Sequence, residues 1–132
     1  MKAHFILYVS DQERSTAFYS TVLEKVPELN VPGMTEFRLS ESAVLGLMPE
    51  TGIANLLGSK IIHPALAKGV PRSELYLVVE DAVGYHARSL AAGAREVSPF
   101  LSRDWGHDVA YSLDPDGHVL AFASTADPAR QS

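Results

Sequence analysis

Two side chains able to bind a charge or carry a proton stand at matching places in this sequence. His4 opens the stretch HFILYVSD and Glu74 opens ELYLVVED, and at a constant offset Phe5 matches Leu75, Leu7 matches Leu77, Val9 matches Val79 and Asp11 matches Asp81. Facing one cavity, an imidazole and a carboxylate can form a hydrogen-bonded pair that holds the imidazole toward its charged form, and such a pair orients a ligand or moves a proton. Read singly, His4 is a surface or hydrogen-bonded core histidine and Glu74 a solvated carboxylate at a strand start; the matching placement makes them a candidate site. The chain has no cysteine, which excludes disulfides, thiolate metal sites and cysteine nucleophiles. Trp105 is the only tryptophan, and its ring can stack on a flat or cationic ligand or serve as a structural plug. His107 is expected to face the core side or solvent, and His63, His86 and His118 read as structural or surface residues.

The elements that must position these groups follow from periodicity. Residues 3–9 alternate as a strand, with His4, Ile6 and Tyr8 on one face and Phe5, Leu7 and Val9 on the other, wholly apolar and therefore core-facing. Ser10-Asp11-Gln12-Glu13 has capping-box spacing, which predicts Ser10 as N-cap of a helix running to about Lys25, with Phe18 and Val22 on one face and Pro27 as its stop. A short extended piece at 28–31 leads through Pro32-Gly33 to strands at 35–39 and 43–48. Residues 49–72, rich in Gly and Pro, read as a long connector with one short helix near 53–57. A strand at 74–79 then opens a second unit. Its helix is expected to run to about Ala92, with Gly93 closing it and Val83, Ala87, Leu90 and Ala91 as the apolar stripe. A short strand at 95–98, a loop at 99–106 carrying Trp105, and a hairpin complete the unit. The hairpin turn is Asp114-Pro115-Asp116-Gly117-His118: proline presets φ and Asp-Gly tolerates the left-handed corner, between two apolar-rich runs. The tail from Thr125 reads as frayed.

With 132 residues, 46% hydrophobic and 20% charged, the chain has the makings of one compact unit with a substantial core. A formal charge of −5 argues against nucleic-acid or anionic-membrane partners and favours a cationic or neutral ligand. No apolar run approaches the roughly 20 residues of a membrane span, and the N-terminus lacks a signal-peptide pattern, so a cytoplasmic protein is expected.

The paired strand-helix-three-strand unit, the Ala17-Phe18-Tyr19 helix segment and Trp105-Gly106 leading to Asp114-Pro115-Asp116-Gly117-His118 resemble the vicinal oxygen chelate superfamily. That group includes glyoxalase I, extradiol dioxygenases, and bleomycin and fosfomycin resistance proteins. The resemblance implies an α+β fold of paired βαβββ modules forming an open curved mixed sheet, a single domain over 1–132 with modules at 3–49 and 73–124 and a connector at 50–72. It also implies a homodimer. Metal-dependent members draw ligands from the first and last strand of each module, which here places His4, Gly46, Glu74 and Ala121 at those positions. Gly46 and Ala121 cannot ligate, so no catalytic metal or other cofactor is expected. On the cavity face the ligand-binding candidates are His4, Tyr8, Met48, Glu74, Tyr76, Trp105 and, by hairpin pairing, Asp108 along with Ala110 and Ser112. The expected function is binding of a small molecule in an apolar cavity without a catalytic metal. The alternative is a lyase, isomerase or dioxygenase acting on a vicinal-oxygen substrate through metal or acid–base chemistry at His4 and Glu74.

Overall fold

The structure, a computed structural model, describes residues 1–125, in two compact units of which the first is Met1–Val70 and the second begins at Pro71. Unit 1 runs β1 (Ala3–Val9), α1 (Gln12–Leu23), β2 (Leu29–Val31), β3 (Met34–Ser40), β4 (Ala43–Pro49) and α2 (Glu50–Leu57), then two short 3-10 turns at Gly58–Lys60 and Pro64–Ala67. Unit 2 runs β5 (Glu74–Val78), α3 (Ala82–Ala91), β6 (Arg95–Ser102), β7 (His107–Leu113) and β8 (Val119–Thr125). Each unit holds a four-stranded mixed sheet with one topology. The orders are β1-β4-β3-β2 and β5-β8-β7-β6, so in both the first strand pairs in parallel with the last and the others are antiparallel. This is a βαβββ module used twice, an α+β fold. Among the described residues no helix is long and apolar enough to cross a membrane. The expected frayed tail, beyond Thr125 itself, lies outside the described residues.

In unit 1 the helix cap differs from the expected one by a residue. Asp11, in extended conformation, is the N-cap and its carboxylate accepts from the Arg14 amide at 3.0 Å, while Ser10 accepts from the Arg14 guanidinium at 3.1 Å. An ionised carboxylate at a helix N-terminus also meets the positive end of the dipole, which favours Asp over the neighbouring serine. The helix ends at Leu23, before Pro27, because Glu24 turns into the left-handed region at φ 51°. Phe18, Tyr19, Val22 and Leu23 form its buried stripe, and α1 packs on β3 and β4. Against it lie Leu7, Val9, Phe37, Leu45 and Leu47, all buried. Burying each such side chain stabilises by about 1.5–3 kcal/mol, so this face fixes the register of the whole sheet.

In unit 2 the buried stripe of α3 is Ala82, His86 and Ser89, whereas Val83 is 59% exposed. The stripe is one residue off the apolar one read from sequence because polar side chains here find partners. His86 Nε2 lies 2.8 Å from Glu96 Oε2, and Ser89 donates to the His86 carbonyl at 2.7 Å and lies 3.2 Å from Ser112 Oγ. These bonds offset the cost of burying His86 Nε2 and the Ser89 hydroxyl, while His86 Nδ1 is buried without a partner. β6 also runs further than expected, through Pro99 to Ser102, with register shifts on either side of Ser98. An edge strand tolerates a proline, which removes only one ladder donor. His118 and His63 are structural: His118 Nδ1 lies 2.9 Å from Ser73 Oγ, and His63 Nδ1 accepts from the Ala65 amide at 3.1 Å.

The β7–β8 hairpin forms where the turn chemistry places it. Asp114 donates its amide to the His118 carbonyl at 2.9 Å, Gly117 donates to the Asp114 carbonyl at 3.0 Å, and Gly117 adopts φ 86°. The Asp114 carboxylate accepts from the amides of Asp116 and His118, both at 2.9 Å. The connection is thus three residues, Pro115 to Gly117, with a left-handed glycine in the manner of a G1 bulge. It sets Leu113 opposite Val119, Tyr111 opposite Ala121 and His107 opposite Thr125. That register decides which side chains of β7 reach the face opposite α3.

Candidate functional site

On unit 1, strand alternation puts His4, Ile6 and Tyr8 of β1, Val44, Gly46 and Met48 of β4, and Glu36 of β3 on the face opposite α1. β1 and β3 are separated by β4, a span of about 9–10 Å. The side chains nevertheless meet: His4 Nδ1 lies 3.3 Å from Glu36 Oε2. They can do so because Gly46, opposite both Ile6 and Glu36, raises no side chain between them. The space above Gly46 is filled from the flanks, since a Cβ there would stand 3.1 Å from Ile6 Cγ1 and 3.3 Å from Met34 Sδ. Glu36 is a polar partner that the sequence analysis missed. Its signal was the alternation of β3, where Met34, Glu36 and Arg38 share the side opposite the buried Thr35 and Phe37.

On unit 2 the corresponding face carries Glu74, Tyr76 and Val78 of β5, Val119, Ala121 and Ala123 of β8, and His107, Val109 and Tyr111 of β7. Tyr76, Ala121 and Tyr111 lie in one cross-strand row. The small central residue lets both phenol rings pack inward, onto a buried cluster of Val109, Ala121 and Ala123. The Tyr76 hydroxyl lies 2.6 Å from His107 Nδ1 and accepts from the Trp105 indole N–H at 2.8 Å, with the Tyr76 and His107 rings stacked at 5.8 Å. Behind them Arg103 sits over the Tyr111 ring at 5.1 Å and donates to Ser98 Oγ at 2.7 Å and to the Val109 carbonyl at 2.8 Å. Burial raises the pKa of the Tyr111 phenol above its ordinary 10.0; the charges of Glu74 and Tyr76 add to this and Arg103 opposes it.

The structure therefore sorts the sequence candidates. His4, Tyr8 and Met48 share the face opposite α1 in unit 1, and Glu74 and Tyr76 share the face opposite α3 in unit 2, with Trp105 bonded to Tyr76. Asp108 does not join them. It is 2% exposed, accepts from Ser102 Oγ at 2.8 Å, and alternates with Ala110 and Ser112 on the α3 side. A turn one residue longer than the assumed one shifts the register by one, and a one-residue shift exchanges the faces. The same shift brings His107 to the site.

A cleft of about 550 Å³ lies elsewhere in unit 1, lined by residues that include Gln12, Thr16, Asn30 and Val31, and none of the candidates borders it. Its polar groups are engaged in holding the β2–β3 turn against α1: Gln12 bonds the Val31 carbonyl at 2.8 Å and the Gly33 amide at 3.0 Å.

The four positions at which the resemblance implies metal ligands hold His4, Gly46, Glu74 and Ala121. Two of them have no donor atom, and Glu36 adds one carboxylate beside His4. Among the described residues no three His, Cys, Asp or Glu side chains gather to hold a metal ion. Sites of that kind draw on three or four protein groups.

No family model matches the chain, and no curated protein matches it. Solved structures do. A glyoxalase-related enzyme from Fulvimarina pelagi superposes with a TM-score of 0.79 at 22% identity, over 95% of this chain and 88% of that one. A glyoxalase/bleomycin resistance protein/dioxygenase from Nocardioides gives 0.74 at 20% identity, over 97% and 85%. A glyoxalase/bleomycin resistance protein/dioxygenase family enzyme from Burkholderia phytofirmans PsJN gives 0.76 at 15% identity, over 92% and 96%. At these identities the likeness establishes the fold: this chain has the glyoxalase/bleomycin resistance/dioxygenase fold.

Proposed function

We propose that this chain binds a small, flat molecule against the aromatic face of unit 2 and works without a catalytic metal. The observation that carries the reading is the Tyr76–Ala121–Tyr111 row with Trp105 bonded at its end. Preset aromatic surface around a few oriented polar groups is the usual make-up of a small-molecule site. Trp105 is 57% exposed although its N–H is fixed, which leaves the indole ring available to a ligand. Glu74 and Tyr76 line this face, and His4, Tyr8 and Met48 are the corresponding candidates on unit 1. The names carried by the structures that share the fold agree with small-molecule binding and leave the ligand open. Elemental analysis of the purified protein, beside thermal-shift screening with metals and small aromatic compounds, tests the reading. Stabilisation by aromatic compounds, with no stoichiometric metal, is the expected result; one metal per chain together with turnover would overturn it.

A second reading, acid–base catalysis on a vicinal-oxygen substrate, is favoured by one observation, the 3.3 Å contact of His4 with Glu36. In that case the carboxylate partner of His4 within unit 1 is Glu36, and replacing either residue would abolish turnover while ligand affinity at the aromatic face stayed unchanged.

A further inference from the structure

We infer that His107 is the ligand's polar anchor, offering a fixed ring N–H to an acceptor oxygen of a flat neutral or anionic molecule stacked on Trp105. The inference rests on the reading of unit 2 as a binding face and names the ligand class. An indole N–H can only donate, so at 2.8 Å the Tyr76 oxygen accepts from Trp105. Among the described residues the Tyr76 O–H has one acceptor in reach, His107 Nδ1 at 2.6 Å, and we assign its proton there. With Nδ1 accepting, the proton of the neutral imidazole sits on Nε2. Nε2 has no hydrogen-bond partner among the described residues, and His107 is only half-buried. Stacking on Tyr76 and the short hydrogen bond fix the ring's orientation. An oriented donor beside an exposed indole suits a carbonyl, carboxylate or phenolate oxygen on an aromatic or conjugated ring.

The local groups thus point away from the cationic ligand that the chain's net charge suggests. Through Nε2, His107 presents a donor to such an oxygen. The titratable and charged groups around it are Glu74 on β5, Tyr76, Tyr111 on β7, and Arg103 and Asp104 in the β6–β7 turn; Arg103 is bound over Tyr111. Glu74 opposes an anion, so an uncharged acceptor is favoured over a carboxylate.

Three ring probes of matched size separate the possibilities: benzoate, benzamide and benzylamine, followed by emission of the sole tryptophan and by NMR line shifts. Benzamide should bind the native protein about tenfold more tightly than benzylamine, the scale of one hydrogen bond to an oriented donor. Benzoate should bind more weakly than benzamide, because Glu74 lines the same face. His107→Ala should reduce the benzamide preference to near equality. Tyr76→Phe, which keeps the ring, should retain ring binding and lose part of the preference; it stands in if His107→Ala fails to fold. Equal binding of benzylamine and benzamide, unchanged in both variants, overturns the anchor and leaves the binding face standing. No response to any of the three overturns the binding face and the anchor together.

Discussion

The two units use one backbone plan and treat the centre of the sheet face in opposite ways. In each, the last strand runs between the first and third and presents a small residue, Gly46 in β4 and Ala121 in β8. In each, side chains from the flanking strands lean over it. Unit 1 fills the gap with flexible Ile6 and Met34 and a partly exposed pair, His4 with Glu36. Unit 2 fills it with aromatic rings tied by short hydrogen bonds, Trp105 to Tyr76 and Tyr76 to His107. Thioether and aliphatic chains adapt their rotamers, whereas bonded rings are already ordered and lose little entropy when a ligand arrives. The repeat thus conserves the frame, and the side chains divide it into a pliable face and a preorganised one.

The largest effect should come from breaking the preorganised face at its hinge. Tyr76→Ala removes a ring packed on Val109, Ala121 and Ala123 and strands the hydrogen bonds of Trp105 and His107. Ligand affinity should fall by about 1–3 kcal/mol, the scale of a buried aromatic contact, as read by titration of Trp105 fluorescence. Trp105→Ala should cost similar affinity, but its stability loss should stay within about 0.5 kcal/mol because the ring is mostly exposed. Equal losses of affinity in Met48→Ala and Tyr76→Ala would erase the contrast between the faces.

The contrast also predicts different tolerance at the two central residues. Ala121→Leu forces extra carbons beneath the two fixed phenol rings and should destabilise by about 1–3 kcal/mol in urea unfolding. Gly46→Ala meets only Ile6 Cγ1 and the Met34 sulfur, which must give by a few tenths of an ångström. That cost is offset by the lower entropy of the unfolded chain, so the net change should stay below about 1 kcal/mol. A larger loss at Gly46 than at Ala121 would mean that the first face is as rigid as the second.

Much of this frame was legible in the sequence, and the errors that matter most for the candidate site were shifts of one residue. Both first strands, the three helices and the hairpin at Asp114–His118 follow from period and turn chemistry, which act locally. Whether Asp108 or His107 faces the site depends on whether the turn counts as two residues or three, and Asp-Pro-Asp-Gly is compatible with either count. The stripe of α3 fell one residue off because His86 and Ser89 are buried through bonds to Glu96 and Ser112, partners that only the folded sheet supplies. The alternation of β3 marks the face on which Glu36 lies, but its partner His4 is two strands away, and no period shows a contact across an intervening strand.

A smaller effect is expected at the pliable face. His4 and Glu36 are partly exposed, and their contact is ionic only while the imidazole is protonated. Double-mutant analysis of His4→Ala and Glu36→Gln should give a coupling of about 0–1 kcal/mol that shrinks with added salt. A coupling well above that range, insensitive to salt, would make the pair as ordered as the bonded rings of unit 2.

The smallest effect is confined to alkaline solution and reports on Tyr111. Burial, then the charges of Glu74 and Tyr76, raise its folded-state pKa above the 10.0 expected of the unfolded chain. The unfolded state therefore releases this proton first, so the native state holds more protons between the two values. Stability must then fall as pH rises through that window, while the contribution is fully present below the unfolded value. Absorbance titration of the phenols should show one of the five tyrosines ionising late, and Tyr111→Phe should remove that late step and flatten the alkaline limb of the stability curve. Glu74→Gln removes one of the two contributing charges but not the burial, so it should move the late step only part of the way back. Full reversion in Glu74→Gln would place a charge, and not the closed packing over Ala121, at the origin of the shift.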